Sequence, residues 1–198
     1  MPTLSIEPIP CLRDNYAYLL LDGTGPAARA VVIDPSEAKP VQEALAREGA
    51  RPLALLCTHH HYDHVGGVPE LLAAHPGLPV YGHRYDQERG RIPGQTVALD
   101  DGQRFDLFTG DAAVAVQALH VPGHTLGAVA FYLPAPGDGD TPLLFTGDTL
   151  FLAGCGRLFE GDEGEASVER RLDDVDQLAP IEEPSDEHGQ QFIHGRQF

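Results

Sequence analysis

Four histidines and one aspartate lie between His59 and His64, directly after the apolar segment Leu53–Cys57. Alternate side chains of an extended backbone point the same way, so the HxHxDH spacing lets His59 and His61 bind one cation. Asp63 and His64, displaced around the following turn, can face a neighbouring cation. Unpaired ionisable groups are costly to gather in one place, which disfavours an ordinary polar loop. The segment therefore predicts a metal site at the end of a strand.

Two later segments supply complementary groups. His124 lies in the glycine-flanked turn HVPGHTLG and would add a third imidazole to the first cation, with a simple turn histidine as the competing interpretation. Asp148 ends the apolar segment LLFTGD, and its two carboxylate oxygens can contact two cations about 3.5–4 Å apart. His120 is expected to orient a ligand by a hydrogen bond, and His60 and Tyr62 to be structural. Six side chains are thus expected to form a two-metal site: His59, His61, Asp63, His64, His124 and Asp148.

The elements that must position these side chains follow from the periodicity of the apolar residues. Strands are predicted at Tyr16–Leu21, Ala30–Asp34, Leu53–Cys57, Arg104–Phe108, Ala113–His120, Ala128–Leu133 and Pro142–Asp148. One helix is predicted between a cap at Ser36 and an end at Gly49, and another at Val68–His75. The later strands suggest a second sheet. Two facing sheets with helices outside would form an α/β fold of four layers, αββα, which periodicity alone leaves open.

Composition and charge restrict the class of protein. The chain has 198 residues, 42% of them hydrophobic, which suits one globular domain. No apolar run approaches the ~20 residues that span a bilayer, and the first residues do not resemble an export signal, so we expect a cytoplasmic protein. We also expect a monomer. The net charge of −17 disfavours nucleic acid and anionic membranes as partners. The cysteines, Cys11, Cys57 and Cys155, are widely spaced and odd in number, so no disulfide framework is expected.

Several segments, in this order and with these separations, resemble one known family. THHHYDHVGG, HVPGHTLG and FTGDTLFLAGCGRLFEG closely resemble the metallo-β-lactamase-fold hydrolases, and specifically glyoxalase II, the hydroxyacylglutathione hydrolases. The segment PIPCLRDNYAYLL is similar too, and the resemblance extends over Ile6–Gly161. It implies an αββα sandwich with two zinc ions, or iron or manganese in the second position. His59, His61 and His124 would hold one ion, Asp63 and His64 the other, and Asp148 both.

The resemblance also implies a substrate and a reaction. Arg157 sits where the family places a basic residue against the glutathione carboxylates, with an ordinary exposed arginine as the alternative, and Phe159 is expected to be a second substrate-binding residue. Water shared by two cations would lose a proton near neutral pH and attack a thioester carbonyl, with Asp63 and Asp148 as the catalytic carboxylates. The leaving thiolate, with a pKa near ~8.5, departs without strong acid assistance. The implied reaction converts S-lactoylglutathione to lactate and glutathione, in methylglyoxal detoxification.

The chain departs from the family after Glu160, where the sequence becomes acidic and is interrupted by prolines. A catalytic domain is expected at residues 1–165. Residues 166–198 would form a short helix, at Ser167–Leu178, and a divergent tail in place of the family's glutathione-binding region.

A late histidine ligand, which the family carries in a GHEYT-like motif, is not recognisable in this chain. His188 and His194 are the late candidates. A truncated or frameshifted reading frame, a divergent short form, and a partner chain that completes the site are competing explanations. We therefore expect a weakened second metal site and reduced turnover. Two alternative functions are a mononuclear iron persulfide dioxygenase and a non-catalytic metal-binding remnant.

Overall fold

The computed structural model describes residues 4–108, 113–135, 141–151, 154–158 and 160. These residues form ten strands, four α-helices and one short 3₁₀ helix. The strands are β1 Leu4–Cys11, β2 Asn15–Asp22, β3 Arg29–Ile33, β4 Arg51–Leu56, β5 Val80–His83, β6 Val97–Leu99, β7 Arg104–Leu107, β8 Val114–His120, β9 Val129–Leu133 and β10 Leu143–Phe145. The helices are α1 Ala38–Glu48, α2 Tyr62–Val65, α3 Val68–Ala74 and α4 Arg84–Glu88, with the 3₁₀ helix at Gly25–Ala27.

The strands form two sheets. The first sheet has six strands in chain order, β1 to β6, and the second has four in the order β10-β9-β8-β7. Strands β1 to β3 are antiparallel, whereas β3 to β6 run parallel to one another. The second sheet is antiparallel throughout. The expected second sheet is therefore confirmed.

An apolar core lies between the two sheets, because alternate residues of each strand point to the same face. The first sheet contributes Leu20, Ile33 and Leu56, and the second contributes Phe131 and Phe145, all of them buried in one cluster. Burying each of these side chains contributes about 1.5–3 kcal/mol, and this packing holds the sheets at a fixed separation.

Helices cover the other face of the first sheet. Leu19 and Leu55 point to this face and pack in one cluster with Val41 of α1 and with Val68 and Leu71 of α3. In the described residues the layers are thus helix, sheet and sheet. The helix expected at Ser167–Leu178 and the boundary expected after residue 165 lie outside the described residues.

The limits of α1 differ from the sequence prediction at one end. The helix ends at Gly49 as expected, with φ of 65°, a left-handed conformation that glycine adopts without strain. Ser36 is not the N-cap of this helix, however. Glu37 occupies the N-cap position, and its side chain makes no capping hydrogen bond. The Ser36 hydroxyl instead donates to the carbonyl oxygen of Asp63 at 2.5 Å. This buried hydroxyl supports the histidine-rich loop rather than the helix.

All three cysteines are free, with Cys11 and Cys57 buried and Cys155 exposed. The expectation that they form no disulfide is met. Among the described residues, none of the helices has the length and apolar character that crossing a bilayer requires.

Candidate metal centre

His59 lies in the loop that follows β4, and its ring is buried. Thr58 Oγ1 donates its one proton to Asp34 Oδ2 at 2.7 Å, so at 3.1 Å it can only accept from Nδ1 of His59. This contact leaves Nε2 of the neutral His59 ring with a lone pair. Nε2 is buried and has no hydrogen-bond partner among the described residues. A buried nitrogen acceptor of this kind fits a metal ligand.

His124 lies between β8 and β9 and meets His61 across the site. Its Nδ1 lies 2.7 Å from the carbonyl oxygen of Arg157, which can only accept, so Nδ1 carries the proton. Its Nε2 lies 2.9 Å from Nδ1 of His61. Ligand atoms of His59, His61 and His124 all lie within 4.8 Å of one another. The structure thus brings together the three imidazoles expected around the first cation.

Asp148 lies between this group and His64. Its Oδ2 is 3.3 Å from Nε2 of His124, and its Oδ1 is 3.1 Å from Nε2 of His64. Ligand atoms of His59, His64 and Asp148 form a second group within 4.8 Å. The carboxylate therefore has one oxygen on each side, as a bridging ligand requires.

Asp63 lies at the edge of the second group. Its Oδ2 is 3.9 Å from Nε2 of His64 and accepts a hydrogen bond from Asn15 Nδ2 at 3.1 Å. The same amide nitrogen donates to the carbonyl oxygen of Asp63 at 2.9 Å. Asn15, at the start of β2, thus fixes both the main chain and the side chain of Asp63.

Asp34 is a site residue that the sequence reasoning missed. It follows β3, is buried, and has φ of 47°, which is unusual for a residue with a side chain. Its Oδ1 accepts from the Thr58 main-chain nitrogen at 2.7 Å, and its Oδ2 accepts from Nδ1 of His64 at 2.9 Å. Such partners fix the ring orientation and tautomer of a metal-binding histidine. The sequence feature that could have identified Asp34 is its position at the end of an apolar strand. The structure shows that this strand runs parallel to the strand before His59.

Two close approaches join the loops of the two sheets beside the site. The main-chain nitrogen of Val129 in β9 donates to the carbonyl oxygen of Thr58 at 2.9 Å. Gly147 has φ of 53°, and a Cβ there would lie 2.4 Å from Thr58 Oγ1. Glycine is therefore required for the loop before Asp148 to approach the histidine-rich loop.

Burial and the neighbouring charged groups shift the pKa values of the imidazoles in opposite directions. Burial lowers the pKa of His59 well below its usual value, and the neighbouring histidines lower it further. Burial, followed by His124, also lowers the pKa of His61. Burial acts in the same direction on His64, but Asp34 and Asp148 outweigh it and raise its pKa to about 10. His59 and His61 are therefore neutral at pH 7, which is the state that binds a cation.

Other predicted site residues have different placements. The Arg157 side chain is exposed, and its main-chain carbonyl contacts His124. Nε2 of His120 donates to the carbonyl oxygen of Leu126 at 2.9 Å, so the expected hydrogen bond to a ligand side chain is replaced by one to the main chain. Phe159, His188 and His194 lie outside the described residues.

The donor set fits divalent metal ions. Buried imidazoles and carboxylates converge, and His59 offers a nitrogen with no protein partner among the described residues. Ligands of these types suit zinc, iron and manganese.

Comparisons with known proteins agree with this arrangement. Residues 13–180 match the model of the Metallo-beta-lactamase superfamily. A hydroxyacylglutathione hydrolase of Synechococcus sp. (strain JA-3-3Ab) is 49% identical over 180 residues, which are 91% of this chain and 64% of that protein. A hydroxyacylglutathione hydrolase of Synechocystis sp. (strain ATCC 27184 / PCC 6803 / Kazusa) is 51% identical over 159 residues, 80% of this chain and 58% of that protein. The chain thus spans about 60% of the length of these curated relatives.

A solved structure of similar size has the same fold. The crystal structure of TTHA1623 in a di-iron-bound form is 30% identical, covers 96% of this chain and 92% of its own, and superimposes with a TM-score of 0.69. The α/β sandwich and the resemblance to hydroxyacylglutathione hydrolases expected from the motifs are confirmed. With its motif segments, its two-sheet architecture and a family match over most of its length, the chain belongs to the metallo-beta-lactamase superfamily.

Proposed function

We propose that the chain is a metal-dependent hydrolase of glutathione thioesters that converts S-lactoylglutathione to lactate and glutathione in methylglyoxal detoxification. The observation that carries this proposal is the position of Asp148, with one oxygen toward His64 and the other toward His124. Two relatives that are 49% and 51% identical bear the name hydroxyacylglutathione hydrolase, which supports the choice of substrate.

The proposed centre is binuclear. His59, His61 and His124 would hold one ion, Asp63 and His64 the other, and Asp148 both. The di-iron-bound form of TTHA1623, a chain of similar length, supports two ions in a protein of this size. Zinc is the default for this donor set, with iron or manganese as alternatives in the second position. When bound, the ions would lower the pKa of a water molecule and stabilise negative charge that develops on the thioester carbonyl oxygen.

The residues of the chain orient this chemistry. Thr58 and the Arg157 carbonyl hold the protons of His59 and His124 on Nδ1, so Nε2 of each ring faces the centre. Asp34 does the same for His64. These contacts preorganise the ligands, which reduces the reorganisation needed during the reaction.

Substrate recognition would involve the exposed Arg157 side chain. An exposed guanidinium beside the centre is suited to the carboxylates of glutathione, which it can bind in bidentate geometry. Phe159 remains a predicted contact of the same segment. The cytoplasmic location and the monomeric state also remain predictions.

A turnover assay with defined metals tests the proposal. Purified chain loaded with zinc, iron or manganese should release glutathione from S-lactoylglutathione, detected with a thiol reagent. Asp148→Asn should abolish this release, whereas Asp106→Asn, at an exposed position of β7, should not. Oxygen consumption with glutathione persulfide and no thioester turnover would instead identify a dioxygenase. A metal-loaded chain that acts on neither substrate would identify the non-catalytic remnant.

A further inference from the structure

Asp86, in α4, is fully buried and lies against two loops that carry candidate metal ligands. Its Oδ1 lies 3.4 Å from Nδ1 of His60, the residue between His59 and His61. A Cβ at Gly127, in the loop after His124, would lie 2.4 Å from the same carboxylate. The backbone of that loop therefore packs directly against Asp86.

Arg91 connects this buried carboxylate to the last described residue of the chain. Its Nη1 lies 3.8 Å from Asp86 Oδ1 and donates to both carboxylate oxygens of Glu160, at 2.7 and 2.8 Å. Glu160 Oε2 also accepts from the main-chain nitrogen of Leu126 at 3.0 Å. Glu160 thus joins its own segment to the His124 loop, and Arg91 holds Glu160 in place.

The segment that Glu160 ends also packs against the candidate ligands. The Arg157 carbonyl accepts from Nδ1 of His124, and the Gly156 nitrogen donates to the carbonyl oxygen of Asp148 at 2.8 Å. A Cβ at Gly156 would lie 2.2 Å from that carbonyl oxygen and 3.0 Å from Nδ1 of His124. With no space to spare, a small shift of this segment would change the orientation of His124.

We propose that Arg91 is a positioning residue that, held between Asp86 and Glu160, fixes the segment whose Arg157 carbonyl orients His124 for metal binding. The inference rests on the proposed function in taking His124 as a metal ligand. Outer contacts that orient metal-binding histidines typically change metal affinity by about 10–100-fold when removed. Arg91 would also link the substrate-facing segment with Arg157 to the metal centre.

Arg91→Met tests this role by removing the charge while keeping the length and apolar contacts of the side chain. Arg89→Met is the matched control, because it removes the same charge from a neighbouring arginine that contacts Tyr85. Arg89 lies on the Tyr85 ring and donates to the Tyr85 carbonyl oxygen at 3.2 Å. The dissociation constant of Co²⁺, measured by its absorption spectrum, should rise by about 10-fold in Arg91→Met, the lower end of the range for direct partners of a ligand, and stay within about twofold in Arg89→Met. Equal Co²⁺ affinity in the two variants would overturn the inference.

A second measurement reports on His124 itself. In the metal-free chain labelled with ¹⁵N-histidine, the His124 ring should give the signature of a proton on Nδ1, assigned with His124→Asn. Arg91→Met should shift this signal toward a mixture of tautomers, and Arg91→Lys, which keeps the charge, should restore most of it. An unchanged His124 signal in Arg91→Met would contradict the positioning role even if the variant were less stable.

The double variant Arg91→Met/Glu160→Gln tests whether the two residues act through one contact. Its Co²⁺ affinity should equal that of the single variant that binds Co²⁺ more weakly, because either change alone removes the ion pair between Arg91 and Glu160. If the fold-losses in Co²⁺ affinity of the two single variants multiply in the double variant, the two residues act independently, which would count against the inference. Neither Co²⁺ binding nor the histidine spectrum requires thioester turnover, so failure of the proposed function would be recognised separately.

Discussion

Asp34 accepts a hydrogen bond from Nδ1 of His64 at 2.9 Å, which turns Nε2 of that ring toward Asp148. Asp34 is fixed in turn by the main-chain nitrogen and the hydroxyl of Thr58. A carboxylate outside the metal group therefore determines the orientation of a candidate ligand within it.

Asp34→Asn should weaken the second metal site. The amide keeps the size of the side chain but provides one acceptor oxygen where Asp34 offers two, so a contact to Thr58 or His64 is lost. We expect the affinity for the second ion to fall by about 10–100-fold, measured by Zn²⁺ competition with a chromophoric chelator. Asp106→Asn serves as the control, and equal second-site affinity in both variants would contradict the assigned role.

Asp63 and Asp148 should differ in the number of ions they hold. Asp148 lies between the two groups and Asp63 only at the edge of the second. Asp148→Asn should reduce the bound metal to less than one ion per chain after gel filtration, whereas Asp63→Asn should retain one. Elemental analysis of the purified variants measures this. Equal losses in the two variants would show that Asp148 is not shared.

The stability of the metal-free chain should depend on the charge of His64. Its folded pKa of about 10 lies above the unfolded value of about 6.5, so its contribution is complete below pH 6.5 and is lost as the pH rises toward 10. Unfolding by urea after chelation should show this decline between pH 7 and pH 10, and His64→Gln should reduce its slope. A slope that is identical in the variant would exclude His64 as its source.

The packing between the sheets should contribute strongly to stability. Phe131 of β9 is completely buried in the core between the sheets. Phe131→Ala should lower the free energy of unfolding by about 3–5 kcal/mol, because it removes buried apolar surface and leaves a cavity. Tyr132→Ala, one position along the same strand and half-buried, should cost less. Urea unfolding of both variants measures the difference.

The metal group was largely predictable because its residues follow apolar strands at recognisable spacings. His59, His61 and His64 share one short segment, and His124 and Asp148 each follow a strand of the second sheet. β8 and β10 each pair antiparallel with β9 and so run in the same direction, which puts the residues that follow them at one edge of the second sheet.

Other features depend on tertiary contacts that no local pattern reveals. β1 contains Pro8 and Pro10, which argue against a strand, but it lies at the edge of its sheet, where a missing donor can be tolerated. β5 and β6 have four and three residues, too few to show a period. Asp86 resembles any solvent-exposed acidic residue of a short helix until the loops that bury it are folded against it.

The main-chain hydrogen bond from Val129 to Thr58 has a wider consequence, because it joins the two sheets directly beside His59. Metal retention should therefore depend on the separation between the two sheets. Mild heating or pressure that loosens the apolar interior should release the ions before the chain loses its secondary structure.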